Sequence, residues 1–188
     1  MNIYTDIIVA FWIVFLAYWL ISAFSAKRSV GRNIWRWLAM RLVLAVVVIS
    51  LFGTQISDKW SGMQPTAAAN PILAIIGTIL CGLGIALAIW ARIYLGRNWG
   101  MPMSVKEEPE LVTGGPYARV RHPIYTGVLL AMFGSALVAG LQWFVPVVLS
   151  AICFIYAAKR EEKNMAKEFP EAYPAYKKRS KMLIPFIF

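Results

Sequence analysis

Long apolar runs broken by short basic segments set the pattern of this chain. Ile7–Phe24 carries no charge, Trp37–Ile56 holds only Arg41, and Pro71–Ala91 is uncharged. Pro123–Ala158 continues for 36 residues without a charge. A hydrocarbon core of about 30 Å takes roughly 20 helical residues at about 1.5 Å each. The first three runs match that length. As one helix the fourth would reach about 54 Å, so it predicts two helices. The turn between them falls at Ala139-Gly140-Leu141-Gln142. Pro146 then lies in the first turn of the second helix, where a missing N–H costs least. The pattern predicts an all-α integral membrane protein of about five transmembrane helices, the last two a short helical hairpin. Barrel strands would alternate apolar and polar residues over about ten positions, and these runs do not. Ile7–Phe24 has no basic leader and no small-residue cleavage site, so it reads as a retained helix.

Composition agrees with that reading. The chain is 60% hydrophobic and 15% charged, against about 45–50% and 25% for a soluble domain. Such hydrophobicity excludes disorder. Two cysteines, both in apolar runs, and one histidine give no metal cluster and no disulfide framework. One unit is expected over residues 1–188, with 1–70 as accessory spans and 71–188 as a catalytic core.

A net charge of +10 would suggest nucleic acid in a soluble protein. Here the placement of the charges matters more. Lys27, Arg28, Arg32 and Arg36 lie between spans one and two, and Arg92, Arg97, Lys106, Arg119 and Arg121 between three and four. Eight more follow Ala158, while Asp6, Asp58 and Lys59 fall on the opposite side. The asymmetry predicts an N-terminus outside and a C-terminus, with its helix, in the cytoplasm. The membrane is the cell inner membrane for a prokaryotic source and the endoplasmic reticulum for a eukaryotic one. The basic residues are thereby assigned to topology and anionic headgroups, and no nucleic-acid partner is expected.

Polar residues concentrate in two segments, Arg92–Tyr125 and Lys159–Lys181. A hairpin that begins at His122-Pro123 and ends at Ala158 returns the chain to one surface and brings them together. Gly114-Gly115-Pro116 is a turn signal. Pro123 suits a first helical position and biases His122 away from helical geometry. His122 then sits at a helix mouth, beside free N–H groups and the positive end of the helix dipole, a place for an anion such as a carboxylate. Arg119 and Arg121 add positive charge, and Tyr117 and Tyr125 offer flat faces and hydroxyls. Glu161-Glu162 follows the last span, either as ion-pair partners of the local Lys and Arg or as a carboxylate facing hydroxyls or a cationic ligand. Tyr173 and Tyr176 read as interfacial anchors, and Leu183–Phe188 as a tail returning to lipid. Arg92 reads as a snorkelling end residue or as a substrate contact.

Leu111-Val112-Thr113-Gly114-Gly115-Pro116-Tyr117, then Arg121-His122-Pro123-Ile124-Tyr125-Thr126-Gly127, then Glu161-Glu162 and the Phe-Pro-Glu-x-Tyr-x-x-Tyr-Lys-Lys-Arg segment resemble the isoprenylcysteine carboxyl methyltransferase family. That family is similar in turn to the membrane phospholipid N-methyltransferases. The resemblance runs from about Arg92 to Pro185. It implies an integral membrane enzyme that uses S-adenosylmethionine without a Rossmann domain. It implies a cofactor pocket lined by Glu110, Leu111 and Val112, with Tyr117 packed on the cofactor. His122, Pro123, Ile124 and Tyr125 close round the cofactor's amino-acid end, and Glu161 takes the acidic position on the last helix. Arg92 and Glu161 are the expected catalytic residues; no metal is expected. The sequence departs from the family at one position: one turn before Glu161, where the family carries Arg, stands Ala157. The expected acceptor is lipophilic or amphipathic and enters from the bilayer. A neutral or cationic lipid headgroup, or a small thiol, is expected to serve better than a prenyl-cysteine carboxylate. Two other readings stand beside this one: a membrane NADPH-dependent enzyme of the sterol-reductase type, and a non-enzymatic membrane scaffold.

Overall fold

The computed structural model describes residues 2–23, 29–30, 70–96, 105–106, 110–185 and 187. It contains five α-helices among them: α1 (Ile3–Ala23), α2 (Pro71–Leu95), α3 (Pro123–Ala139), α4 (Phe144–Glu168) and α5 (Ala172–Arg179). Three stretches, Ile3–Ser22, Pro71–Leu95 and Leu141–Glu168, are long and apolar enough to cross a membrane, and Pro123–Ala139 is a shorter apolar helix. The expected span Trp37–Ile56 lies outside the described residues. Extended pairing among the described residues is limited to a two-residue antiparallel pair, Ser29–Val30 with Val105–Lys106, and a single parallel bridge, Val120 with Lys181.

The helix ends follow local chemistry. Asn70 caps α2, its side-chain oxygen accepting from the Ile72 and Leu73 N–H groups at 3.1 and 3.2 Å, which satisfies two otherwise unpaired donors. Pro71 and Pro123 occupy first-turn positions whose N–H would be unpaired anyway. The hairpin turns where the sequence placed it. α3 stops at Ala139, Leu141–Trp143 form one 3-10 turn, and Pro146 lies in the first turn of α4. α4 is not short, however. It runs ten residues beyond Ala158 to Glu168, because Lys, Arg and Glu propagate a helix well and nothing breaks it before Pro170. Glu161 and Glu162 are therefore held on a rigid helix.

α2 and α3 pack almost backbone to backbone. A Cβ on Gly127 would lie 2.6 Å from the Gly84 carbonyl oxygen and 2.7 Å from the Ala88 nitrogen, and one on Gly77 would lie 2.6 Å from the Gly134 carbonyl oxygen. Glycine at these positions is what lets the two helices approach so closely. α1 completes the core with Trp12 and Phe15, both buried beside Cys81, Ile85, Ala88 and Met132. The Trp12 indole N–H donates to Ser135 Oγ at 3.1 Å, giving that buried polar group a partner. α2 and α3 thus form a fixed post, and α4 returns from the hairpin turn to lay its charged end against the mouth of α3.

Candidate active site at the mouth of the hairpin

His122 is the residue before α3, with φ −124° and ψ 59°, outside the helical region that the following proline disfavours. The approach to it is shaped by Gly114-Gly115-Pro116. Gly115 has φ +56°, and a Cβ there would fall 2.5 Å from the Tyr94 ring, so only glycine fits both the backbone and the space. The turn sets the buried Tyr117 against α2, where its hydroxyl donates to the Ala91 carbonyl at 3.4 Å.

The returning helix supplies two carboxylates with different fates. Glu162 is buried and accepts from Arg121 Nε at 2.6 Å and from Lys177 Nζ at 2.8 Å. Arg121 also donates to the Ser180 and Lys177 carbonyls, at 2.5 and 3.4 Å. One ion cluster therefore ties the α3 approach, α4 and α5 together. Glu161 accepts from the Tyr125 hydroxyl at 2.6 Å and lies 3.4 Å from His122 Nδ1. Its side chain is 26% exposed against 5% for Glu162, so Glu161 is the acid that can meet a ligand. The Tyr125 ring lies nearly parallel to both the His122 and Phe154 rings, at centroid distances of 5.5 and 4.7 Å.

Electrostatics follow from this crowding. Burial pulls the His122 imidazole down, but the Glu161 and Glu162 carboxylates outweigh it and hold its pKa above the ordinary 6.5. The bound proton stabilises the fold fully below about 6.5 and loses that effect as pH climbs through the raised folded value. Thermal melts from pH 6 to 9 are expected to show falling stability across that window, and His122→Gln should flatten the slope. An equal slope in both proteins would remove His122 as its source. Burial likewise raises the Tyr117 hydroxyl, with Tyr176 and Glu161 adding to it, so Tyr117 stays protonated and can donate. The Tyr176 hydroxyl is pushed up to about 12 by burial.

Several expectations change here. Arg92 is not a snorkelling end residue. It is 2% exposed and donates to the Ser22 carbonyl at 2.6 Å and to the Gly96 carbonyl at 2.8 Å, joining the ends of α1 and α2. Tyr173 and Tyr176 are not interfacial anchors. Both are buried, and the Tyr176 hydroxyl donates to the Tyr117 carbonyl at 2.7 Å. Nor does the chain leave for lipid directly after α5. The Arg121 and His122 N–H groups donate to the Lys181 and Met182 carbonyls at 2.8 and 3.1 Å, and Thr126 Oγ1 to the Leu183 carbonyl at 2.7 Å. The His122 N–H is therefore taken by the Met182 carbonyl and is not among the groups a ligand could meet at the helix mouth.

The geometry brings Tyr117, His122, Pro123, Tyr125 and Glu161 to one place, with Ile124 half-buried beside them. Glu110 is exposed and Leu111 and Val112 half-buried on the segment leading in. Sequence reasoning missed the role of Arg121, Phe154 and the segment Lys181–Leu183. The pairing of Arg121 with Glu162 could have been found from the number of cations available to two adjacent acids. No group of three or more His, Cys, Asp or Glu that could hold a metal occurs among the described residues.

A family model described as phospholipid methyltransferase matches residues 72–172. The cobalt-zinc-cadmium resistance protein CzcN of Cupriavidus metallidurans is 28% identical over 148 residues, which are 77% of this chain and 61% of that protein. Protein-S-isoprenylcysteine O-methyltransferase of Schizosaccharomyces pombe is 27% identical over 160 residues, 80% of this chain and 67% of that one. Methanethiol S-methyltransferase of a Pseudomonas species is 32% identical over 82 residues, 43% of this chain and 31% of that one.

Proposed function

The chain belongs to the phospholipid methyltransferase family, and from that premise we propose an integral membrane enzyme that takes its methyl group from S-adenosylmethionine. The observation that carries the proposal is Glu161, held by Tyr125 and His122 where α4 returns to the mouth of α3. The residues present fit the cofactor. His122 Nε2 is buried and makes no hydrogen bond, since Glu162 Oε1, at 3.7 Å, is within ion-pair range only. It can donate to the cofactor's carboxylate. The exposed part of Glu161 can accept from an ammonium or a hydroxyl.

The cofactor supplies an electrophilic methyl group on a sulfonium sulfur. The protein's part is to bind, align and keep out water, because in-line displacement is gained mainly through positioning. Tyr117 packs along the cofactor, and Pro123 and Ile124 close the helix mouth. Glu110, Leu111 and Val112 line the way in. Arg92 acts as a positioning residue through its bonds to Ser22 and Gly96. The enzyme sits with its N-terminus outside and this site at the cytoplasmic face. In support of that orientation, the basic side chains of α4 and α5 gather at this end, while Asp6 lies at the other.

The acceptor is a neutral or cationic lipid headgroup or a small thiol, in preference to a prenyl-cysteine carboxylate. Ala157, one turn before Glu161, is buried and uncharged, and the nearby Arg121 and Lys177 are engaged by Glu162. A carboxylate acceptor would meet Glu161 with little to offset the repulsion. Calorimetry with S-adenosylmethionine and with NADPH, followed by transfer of labelled methyl to prenyl-cysteine, phosphatidylethanolamine and thiols, tests both parts. Binding of S-adenosylmethionine alone and labelling of the amine or thiol are expected. NADPH binding would favour a reductase, and binding of neither a scaffold. Efficient labelling of prenyl-cysteine alone would overturn the acceptor assignment.

A further inference from the structure

The Tyr125 ring is stacked with both His122 and Phe154, while its hydroxyl is fixed on Glu161. Phe154 stands seven residues before Glu161 on α4, two turns deeper into the apolar part of the helix and on the same face. That face turns toward α3, as the burial of Ala157 and Ala158 shows. The opposite flanks of α4 are open, with Ile152 60% and Tyr156 56% exposed. Phe154 is half-buried, one ring face against Tyr125. The charged cluster thus lies on one side of this aromatic pair and the apolar seam between α3 and α4 on the other. The residues of α4 between Phe154 and Glu161 on this face are alanines, so the Phe154 ring is the bulky group on that face between the seam and the acid.

We propose that Phe154 selects the methyl acceptor by the size of its apolar chain. The inference rests on the reading of this site as a methyltransferase centre. A small thiol reaches the cluster without displacing the ring. A long alkyl chain arriving along the α3–α4 seam must pass it. Phe154 touches neither the ion cluster nor His122 among the described contacts, so its size can be changed without removing a charge from the site.

The test uses the full chain in lipid nanodiscs. Methyl transfer is measured to ethanethiol and dodecanethiol, and to short-chain and dioleoyl phosphatidylethanolamine, with S-adenosylmethionine affinity measured separately by calorimetry. Phe154→Ala is expected to raise the long-to-short ratio of kcat/KM by about tenfold or more, and Phe154→Trp to lower it, with cofactor affinity unchanged. Phe154→Leu, which keeps most of the volume, should fall between and serves if the alanine variant does not fold. Equal ratios in all variants would overturn the inference while leaving the methyltransferase reading intact. A ratio that moves only with a matching loss of cofactor affinity would overturn it too, because the ring would then be a support for Tyr125. No transfer to any acceptor by the unmodified protein, with no cofactor binding, would overturn the reading and the inference together.

Discussion

Replacing Arg121 with Ala is expected to destabilise the protein by about 3–5 kcal/mol, the usual cost of breaking a buried ion pair from one side. Both side chains are nearly inaccessible, at 7% for Arg121 and 5% for Glu162. The substitution would leave Glu162 buried with Lys177, whose side chain is 55% exposed. It would also remove the donors that hold the Ser180 and Lys177 carbonyls. Lys177→Ala, by contrast, removes a mostly solvated partner and should cost no more than about 1 kcal/mol. Denaturant or thermal unfolding of the two variants in one detergent gives the comparison. A smaller loss for Arg121→Ala than for Lys177→Ala would mean that the cluster does not join these elements. Arg121→Met with Glu162→Leu should recover much of the stability, since two apolar residues of similar volume leave no buried charge unpaired, and Lys177 remains solvated.

The second large effect is on the ligand. Glu161→Gln should weaken S-adenosylmethionine binding by about 1.5–3 kcal/mol, the range for hydrogen bonds to charged groups. That corresponds to roughly tenfold to 150-fold in affinity. Tyr125→Phe removes one neutral donor and should cost about 0.5–1.5 kcal/mol. Calorimetry reads both, and the melting temperature of the ligand-free protein separates a binding loss from a folding loss. Unchanged affinity in both variants, with the fold intact, would detach this carboxylate from the cofactor.

The apolar runs made the helices legible because a span must satisfy its backbone internally and therefore announces itself by length. The hairpin turn was legible for the same reason: 36 uncharged residues cannot cross once. The juxtaposition of His122 and Glu161 followed from counting turns. What stayed hidden was the division of labour between adjacent acids. Glu161 and Glu162 point to different partners on a helix, and which one meets Arg121 depends on rotation about the helix axis that uniform apolarity does not encode. The snorkelling reading of Arg92 failed because a cation at a helix end usually reaches outward. Here the carbonyl of Ser22 lies close enough to draw it in. Tyr176 and Leu183 were misread because burial of a short amphipathic segment depends on a tertiary partner, the Tyr117 turn and the Thr126 hydroxyl, which no local pattern reveals.

The glycine seam has a consequence for handling the protein outside its membrane. Where α2 and α3 meet through Gly77, Gly84, Gly127 and Gly134, the gap between backbones is too narrow to admit a hydrocarbon chain. Detergent cannot wedge between them, and replacing lipid leaves their contact unaltered. α4 has no such seam, and its exposed face, Val145, Val148, Leu149 and Ile152, is solvated by whatever amphiphile surrounds it. Solvent choice therefore bears on α4, and with it on Glu161, long before it reaches the helices that carry His122 and Tyr125. A harsh detergent would part the acid from its partners while leaving helical content unchanged, and circular dichroism alone would not detect the loss.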